Sequence, residues 1–249
     1  MTPELVWRVA QERRQGLKSL LQEVDLVTVT TPYLQNRYRK YTRKAPVTVL
    51  PNCIREEDWA GVEPKYPNGS ENYVKIGWAG GESHRQDLQL VAEPLTKVLV
   101  QHPKVALVLA GWVGAKLLFP DHVQERVFIV PWMKLDEYRP FVAGFDIGIA
   151  PAVNCPTNRG KSGIRVYELA LAKPEGMPIV ASPCPYREDV HDGMGLVVEG
   201  REFGEAVGWM LENADEAGRM GLRLHQHVLV EHTYESQAAR WAATYEEAL

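Results

Sequence analysis

The sequence lacks the features of secreted, membrane-spanning and metal-binding proteins. Its cysteines are Cys53, Cys155 and Cys184, an odd number without C-x-x-C spacing, which argues against a disulfide framework or a zinc site. No apolar run approaches the roughly 20 residues that cross a bilayer. Charged residues at positions 8 and 12–14 interrupt the apolar N-terminus, so no signal peptide is predicted. We therefore expect a protein of the reducing cytoplasm.

An excess of positive charge is also missing. The net charge of -4 argues against a nucleic-acid partner bound by bulk electrostatics. Basic residues are concentrated between positions 37 and 44. We interpret this cluster as a solvated helix face; anionic membrane lipid stays an alternative, although nothing else in the sequence indicates membrane association.

Several common ligand-binding and catalytic motifs are absent. No G-x-G-x-x-G occurs, and no acidic residue follows the strand that ends at Leu109-Ala110-Gly111-Trp112, which argues against a nicotinamide site. Neither a Walker A loop nor G-x-S-x-G is present. His225, His227 and His232 are close in sequence, but the first two face different sides of a helix, so no zinc site is expected.

What the chain has is a regular alternation of strands and helices. Short β-branched runs predict strands at residues 74–79, 105–110, 127–130, 146–150, 178–181 and 195–198. Helical periodicity predicts helices at residues 84–100, 135–142, 164–172 and 203–213. Such βαβ units indicate an α/β fold with a doubly wound parallel sheet.

The ends of the chain differ from this central part. Proline, glycine and polar residues at 63–72 indicate a linker. Before it we predict a helix that begins at Thr2-Pro3, a strand at 25–30, a second helix at 32–41 and a strand at 47–50. A final helix begins at Thr233, and its apolar stripe should be buried; the stripe consists of Ala238, Trp241, Ala242, Tyr245 and Leu249. The predicted units are 1–65, 70–232 and 233–249.

The loop after the first central strand is a candidate anion site. Gly80 and Gly81 let a ligand approach the backbone before a helix that Ser83 and Gln86 should cap. His84 and Arg85 lie in the first turn, where a cation is unfavourable unless an anion is near. The alternative is a tight turn with Arg85 directed to solvent.

The most informative stretch is residues 158–168. Arg159, Lys161 and Arg165 lie in and after a Gly-Ser loop that includes Ser162, and this loop could bind phosphate oxygens. Glu168 follows on the predicted helix and could accept hydrogen bonds from a sugar's hydroxyls. Lys161 and Arg165, four residues apart, should share a helix face; an Arg165–Glu168 ion pair is the alternative use of these charges.

Two further loops should reach the same edge of the sheet. Trp132 and Met133 follow the third strand, where they could hold a nucleobase or form a hydrophobic plug. Asn154 follows the fourth strand and could line a sugar-diphosphate pocket.

From about residue 25 onward, these segments in their order resemble the family 4 retaining glycosyltransferases of GT-B fold. The matching segments are residues 24–31, 49–52, 76–80, 107–111, 145–151, 161–163 and 178–182, together with Glu168. The resemblance implies a Rossmann-like donor domain, a truncated N-terminal α/β segment and a C-terminal helix that packs back on it.

The resemblance also implies a reaction and a set of roles. A sugar would move from a nucleotide diphosphosugar to an acceptor hydroxyl with its configuration retained. Arg85 and Lys161 would be the catalytic cations that replace a metal, so no cofactor is expected, and Glu168 would match the second Glu of the E-x7-E motif and bind the ribose. The implied donor-binding residues are Gly80, Gly81, His84, Arg85, Trp132, Met133, Asn154, Lys161, Ser162, Arg165 and Glu168.

Three departures from the family pattern shape the alternatives. Gly160 occupies the position of the first Glu, residues 173–177 form a longer turn than usual, and only about 60 residues precede the linker. We therefore expect a homodimer or a separate acceptor-domain chain as partner. A non-catalytic nucleotide-sugar-binding subunit, or a truncated GT-B domain that needs a partner chain, is the alternative function, and a GT-B sugar-nucleotide epimerase is a third reading. The acceptor stays open.

Overall fold

The computed structural model describes residues 3–248, and the side chains of residue 4 and residues 7–248. The predicted cap at Thr2 and the stripe residue Leu249 lie outside the described residues. The strands are β1 (Val27–Val29), β2 (Val47–Val49), β3 (Val74–Ala79), β4 (Val105–Ala110), β5 (Val127–Val130), β6 (Ile147–Ala150), β7 (Ile179–Ala181) and β8 (Leu196–Val197). The helices are α1 (Pro3–Leu20), α2 (Pro32–Tyr38), α3 (Arg85–Gln101), α4 (Leu135–Ala143), α5 (Pro156–Arg159), α6 (Ile164–Leu171), α7 (Pro183–Tyr186), α8 (Phe203–Glu212), α9 (Ala214–Glu231) and α10 (Tyr234–Glu246).

Six of the strands form one parallel sheet in the order β5-β4-β3-β6-β7-β8. The chain moves outward from β3 to β5, then returns to place β6 on the other side of β3, where Ile76 pairs with Ile147. The predicted doubly wound sheet is confirmed. Its order reverses between β3 and β6, and open α/β sheets bind ligands outside the carboxyl ends of strands at such a switch point.

Both faces of this sheet are buried under helices. Every residue of β4 is buried, as its continuous apolar run predicts. On one face Leu88 and Leu95 of α3 pack with Phe203 of α8; on the other, Leu169 of α6 packs with Leu224 of α9. Full burial of each such side chain contributes about 1.5–3 kcal/mol. This core holds the strand ends in fixed positions.

The first segment forms a separate two-stranded parallel sheet, in which Val27 pairs with Val47. Thr31 is the N-cap of α2, and its hydroxyl accepts a hydrogen bond from the Leu34 N–H at 3.3 Å. The end of the chain returns to this segment: Ile54 bridges to Thr233, and the Arg240 guanidinium donates to the Val49 carbonyl at 2.8 Å. Thr233 caps α10 as predicted, accepting from the Ser236 N–H.

Several local predictions were wrong. Helix α9 was not predicted as a separate helix. Ser83 does not cap α3, because a 3-10 turn over Glu82–His84 comes first. The α10 stripe is not buried within the chain: Trp241 is half-buried, but Ala238, Ala242 and Tyr245 are exposed.

The long turn after α6 has a packing reason. Gly176 has φ +78, and a Cβ there would lie 2.3 Å from the Gly221 backbone. The turn therefore crosses α9 at a point where only glycine fits.

Candidate functional site

Loops after β3, β4 and β5 and the start of α6 surround a cavity of about 370 Å³ at the carboxyl edge of the sheet. We call it the edge cavity. The predicted site residues that line it are Gly80, Gly81, His84, Trp132, Met133, Arg165 and Glu168. These residues come from distant parts of the sequence, and the parallel sheet brings them together because its strands all end on one side.

Glycine allows the first two loops to touch at the base of the edge cavity. Gly111 has φ +91, and a Cβ there would lie 2.8 Å from the Gly80 carbonyl oxygen. The Gly80 N–H donates to the Ala110 carbonyl at 2.9 Å, and the Gly111 N–H donates to the Val130 carbonyl at 3.0 Å. The backbone is therefore held closely at the point where a ligand could reach it.

Glu168 is the acidic group of the edge cavity. The Tyr138 hydroxyl donates to Glu168 Oε2 at 2.9 Å, while Oε1 has no hydrogen bond to any residue from 3 to 248. Burial raises the pKa of Glu168, against the opposing effects of the Tyr138 hydrogen bond and the charge of Arg165. Burial also raises the pKa of Tyr138, which therefore stays a donor at neutral pH. One carboxyl oxygen is thus fixed and the other is left for a ligand.

Arg165 does not form the local ion pair considered as an alternative. Its guanidinium donates to the Ala79 carbonyl at the end of β3. Among the ion pairs of the described residues, none joins Arg165 to Glu168. Because Arg165 is anchored at the sheet edge and lines the edge cavity, it supplies positive charge there.

Behind the edge cavity, Asp87 connects three parts of the switch point. Its carboxylate accepts hydrogen bonds from the Val153 N–H at 2.7 Å and the Asn158 amide at 2.9 Å, and it lies 2.8 Å from His84 Nδ1. Burial alone would raise the pKa of Asp87, but these hydrogen bonds hold it below its ordinary value. Asp87 therefore fixes the ring of His84, which faces the cavity, and ties α3 to the loop after β6.

At the opposite wall, Trp132 is 80% exposed. A side chain with so little contact is not a hydrophobic plug, and its ring is available for stacking. Met133 is half-buried beside it.

Lys161 and Ser162 line a different cavity, of about 510 Å³, which we call the basic cavity. The prediction that Lys161 shares a helix face with Arg165 is wrong, because α6 begins at Ile164 and Lys161 belongs to the preceding loop. Ser162 Oγ accepts from the Asn52 amide at 2.8 Å.

Arg85 and Asn154 line neither cavity. The Arg85 guanidinium lies over the Trp112 ring, 5.8 Å from its centroid, and Asn154 Oδ1 accepts from Arg159 Nε at 2.8 Å. In the structure, the two residues expected to be the catalytic cations, Arg85 and Lys161, are therefore both outside the edge cavity.

Sequence reasoning missed Tyr138, Asp87 and Asn158. The spacing of Asp87 three residues after His84 was a usable signal for a paired side chain on one helix turn. Tyr138 reaches Glu168 from α4, 30 residues away, and no local pattern indicates that contact. Across residues 3–248, no group of three or more His, Cys, Asp or Glu side chains could hold a metal ion.

The strand order, the glycine loops and the position of the edge cavity define a Rossmann-like domain of the GT-B type. The chain belongs to the glycosyl transferase-like family, whose model matches residues 85–243. No curated protein sequence matches significantly. In the part of the chain that the structure describes, no helix is both long and apolar enough to cross a membrane.

Solved structures show the same fold. Sucrose-phosphate synthase from Thermosynechococcus elongatus superposes with TM-score 0.70 at 14% identity, over 95% of this chain and 61% of that one. Anabaena HepE in complex with UDP gives 0.70 at 15% identity, over 90% and 64%. The pneumococcal O-GlcNAc transferase GtfA in complex with UDP and GlcNAc gives 0.66 at 13% identity, over 90% and 45%. The chain spans less than two thirds of the length of each.

Proposed function

We propose that this chain binds a nucleotide diphosphosugar in the edge cavity and transfers its sugar to an acceptor hydroxyl with retention of configuration. The observation that carries the proposal is Glu168, a half-buried carboxyl held on one oxygen by Tyr138 and open on the other at the carboxyl edge of the sheet. A carboxyl in this setting suits two adjacent ribose hydroxyls, and charge-assisted hydrogen bonds of this kind contribute about 1.5–3 kcal/mol each.

The other walls suit the remaining parts of such a donor. Trp132 offers a ring face to a base. The backbone N–H of Gly81, with His84 and Arg165, suits phosphate oxygens. In this proposal Arg85 turns from Trp112 toward the diphosphate, Lys161 reaches it from the basic cavity, and Ser162 and Asn154 border the sugar. Uridine is the proposed base, since HepE and GtfA are solved with UDP.

The proposed reaction exchanges one bond at the anomeric carbon for another. The bond from this carbon to the diphosphate oxygen breaks, and the bond to the acceptor oxygen forms. The nucleoside diphosphate leaves with the bonding electrons, and the proton of the acceptor hydroxyl passes to it. Cations and N–H groups that stabilise the departing diphosphate, and walls that hold the acceptor, lower the barrier without a metal or other cofactor.

One observation favours a second candidate, a nucleotide-sugar-binding subunit without turnover or a GT-B domain that needs a partner chain. A Cβ at Gly160 would lie 3.1 Å from Leu34 Cδ2 of α2. The first acidic residue of the E-x7-E motif is absent at this position, and a side chain here would require Leu34 of the N-terminal segment to shift by a few tenths of an ångström. A homodimer or a separate acceptor-domain chain would complete such a protein.

The test begins with UDP, GDP, ADP and TDP in a thermal-shift screen, followed by calorimetry with the corresponding nucleotide sugars. We expect UDP and a UDP-sugar to stabilise the chain; failure of all four nucleotides would contradict the proposal. Release of sugar or its transfer by the purified chain would then favour the enzyme over the binding subunit.

A further inference from the structure

The basic cavity adjoins the edge cavity at α6, where Arg165 and Glu168 line the edge cavity and Tyr167 lines the basic cavity. Its walls come from the N-terminal segment at Thr30 and Thr31, from the loop at Lys161 and Ser162, and from α10 at Arg240. A molecule here would adjoin the helix that carries Arg165 and Glu168 of the proposed donor site. Its volume of about 510 Å³ is within the range of small-molecule sites.

The basic cavity is lined by more cationic side chains than carboxylates. Four cations line it, namely Arg159, Lys161, Arg187 and Arg240. Of the ion pairs formed within residues 3–248, none includes any of these four. Arg159 bonds only a neutral amide and Arg240 a backbone carbonyl, so neither charge is compensated. Like charges gathered around one space repel one another, and an anion in that space relieves the repulsion.

The acidic residues in the wall do not cancel this charge. Asp189 accepts from the Tyr167 hydroxyl, and burial raises the pKa of Asp189 to about 6 in spite of that hydrogen bond. Glu188 is exposed. His232 stacks on Tyr167 with ring centroids 4.2 Å apart, and burial lowers the pKa of His232 to about 4, so it is neutral at pH 7. Four cations against two carboxylates leave a formal charge of plus two around the cavity.

We propose that the basic cavity binds the acceptor, and that this acceptor carries an anionic group, a phosphate or a carboxylate. The inference rests on the proposed function, because it makes the neighbouring edge cavity the donor site. Lys161 belongs to the loop that leads into α6, whereas Arg187 and Arg240 come from the turn after α7 and from α10. These two arginines, with the hydroxyls of Thr30 and Thr31, form the part of the site that the donor does not need.

The test is calorimetry on the full chain saturated with UDP. The probes are inorganic phosphate, glucose 6-phosphate and glucuronate, with uncharged glucose for comparison. We expect at least one anionic probe to bind without displacing UDP, and to bind at least tenfold more weakly to an Arg187→Ala/Arg240→Ala variant, whose UDP affinity changes less than twofold. A matched control, Arg219→Ala/Arg223→Ala, removes two arginines paired with Glu216 outside the cavity and should bind the probe normally.

Three outcomes would overturn the inference. Absence of binding by every anionic probe would remove the anion site. Displacement of UDP by the probe, or loss of UDP affinity in the Arg187→Ala/Arg240→Ala variant, would assign the cavity to the donor's diphosphate. Equal weakening in the control would make the effect one of net charge. Failure of UDP itself to bind is a separate result that contradicts the proposed function, and titration of the probes without UDP still tests the basic cavity.

Discussion

The edge cavity and the basic cavity, which both include side chains of α6, are built by different means. The edge cavity is formed by strand ends and by side chains that the protein itself holds, such as Glu168 on Tyr138 and His84 on Asp87. The basic cavity is formed by cations from three regions of the chain, namely α5 with the loop after it, the turn after α7, and α10. Most of these cations are exposed, and none has a carboxylate partner among the described residues. A preorganised site loses little freedom on binding, whereas flexible cations mainly supply attraction and selectivity for charge. The edge cavity therefore suits a donor of fixed shape, and the basic cavity suits an acceptor that is recognised by its charge.

The strongest test of this contrast is Glu168→Ala. We expect UDP affinity to fall at least tenfold, since one decade corresponds to about 1.4 kcal/mol and the lost hydrogen bonds to ribose are charge-assisted. Calorimetry measures the change, with Glu188→Ala, which removes a carboxylate of the basic cavity, as the matched variant. Unchanged UDP affinity would remove Glu168 from the donor site.

Asp87→Asn tests whether the hydrogen bonds of Asp87 stabilise the part of the protein behind the edge cavity. The amide keeps the size of the side chain but loses the charge that three donors share, so we expect a loss of about 1–3 kcal/mol in the free energy of unfolding. Urea denaturation at pH 7 measures it. Because the pKa of Asp87 is depressed in the folded state, its contribution is present above the unfolded pKa and disappears as the pH falls through the folded value. A variant as stable as the parent would show that the switch point is held by other contacts.

Lys161→Ala tests whether Lys161, which lines the basic cavity, also contacts the diphosphate of the donor in the edge cavity. If Lys161 reaches the donor's diphosphate, the variant should lose several-fold affinity for UDP and little for uridine. Parallel titrations of the two ligands decide the matter. Unchanged affinity for both UDP and uridine would confine Lys161 to the basic cavity and show that the two sites do not share this residue.

Trp132→Ala should have a smaller effect. Stacking contributes about 0.5–1.5 kcal/mol, so UDP affinity should fall by between about twofold and tenfold. The melting temperature should not change, because the side chain is 80% exposed. A clear loss of stability would instead mean that Trp132 packs within the protein.

The effect that is smallest near neutral pH concerns the protonation of His232. Burial lowers the pKa of His232 from 6.5 to about 4, so below pH 6.5 the unfolded chain takes up a proton that the folded chain refuses until about pH 4. Stability should therefore fall as the pH decreases through this window. His232→Phe keeps a ring beside Tyr167 and should make the fall shallower in melting curves between pH 7 and 4. An identical slope in the variant would assign the pH dependence to other groups.

Continuous apolar runs explain how far the fold could be predicted. The bounds of β3, β4 and β5 match the prediction at every residue. The pattern is clearest in β4, whose residues are all buried, because a strand covered on both faces leaves an unbroken apolar run. The apolar stripe of α10 led to a wrong prediction of burial. Periodicity shows that a helix has an apolar face, but it does not show that this chain covers the face.

The amino-acid sequence by itself determined the order of strands and helices, the glycine loops and the position of Glu168 on its helix, since these depend on local periodicity and on backbone freedom. Only the tertiary structure decided that Tyr138 holds Glu168, that Asp87 holds the loop after β6 through Val153, and that Lys161 joins three arginines in another cavity. Those contacts join residues from separate elements, and their geometry follows from how the helices pack on the sheet, which no local pattern encodes.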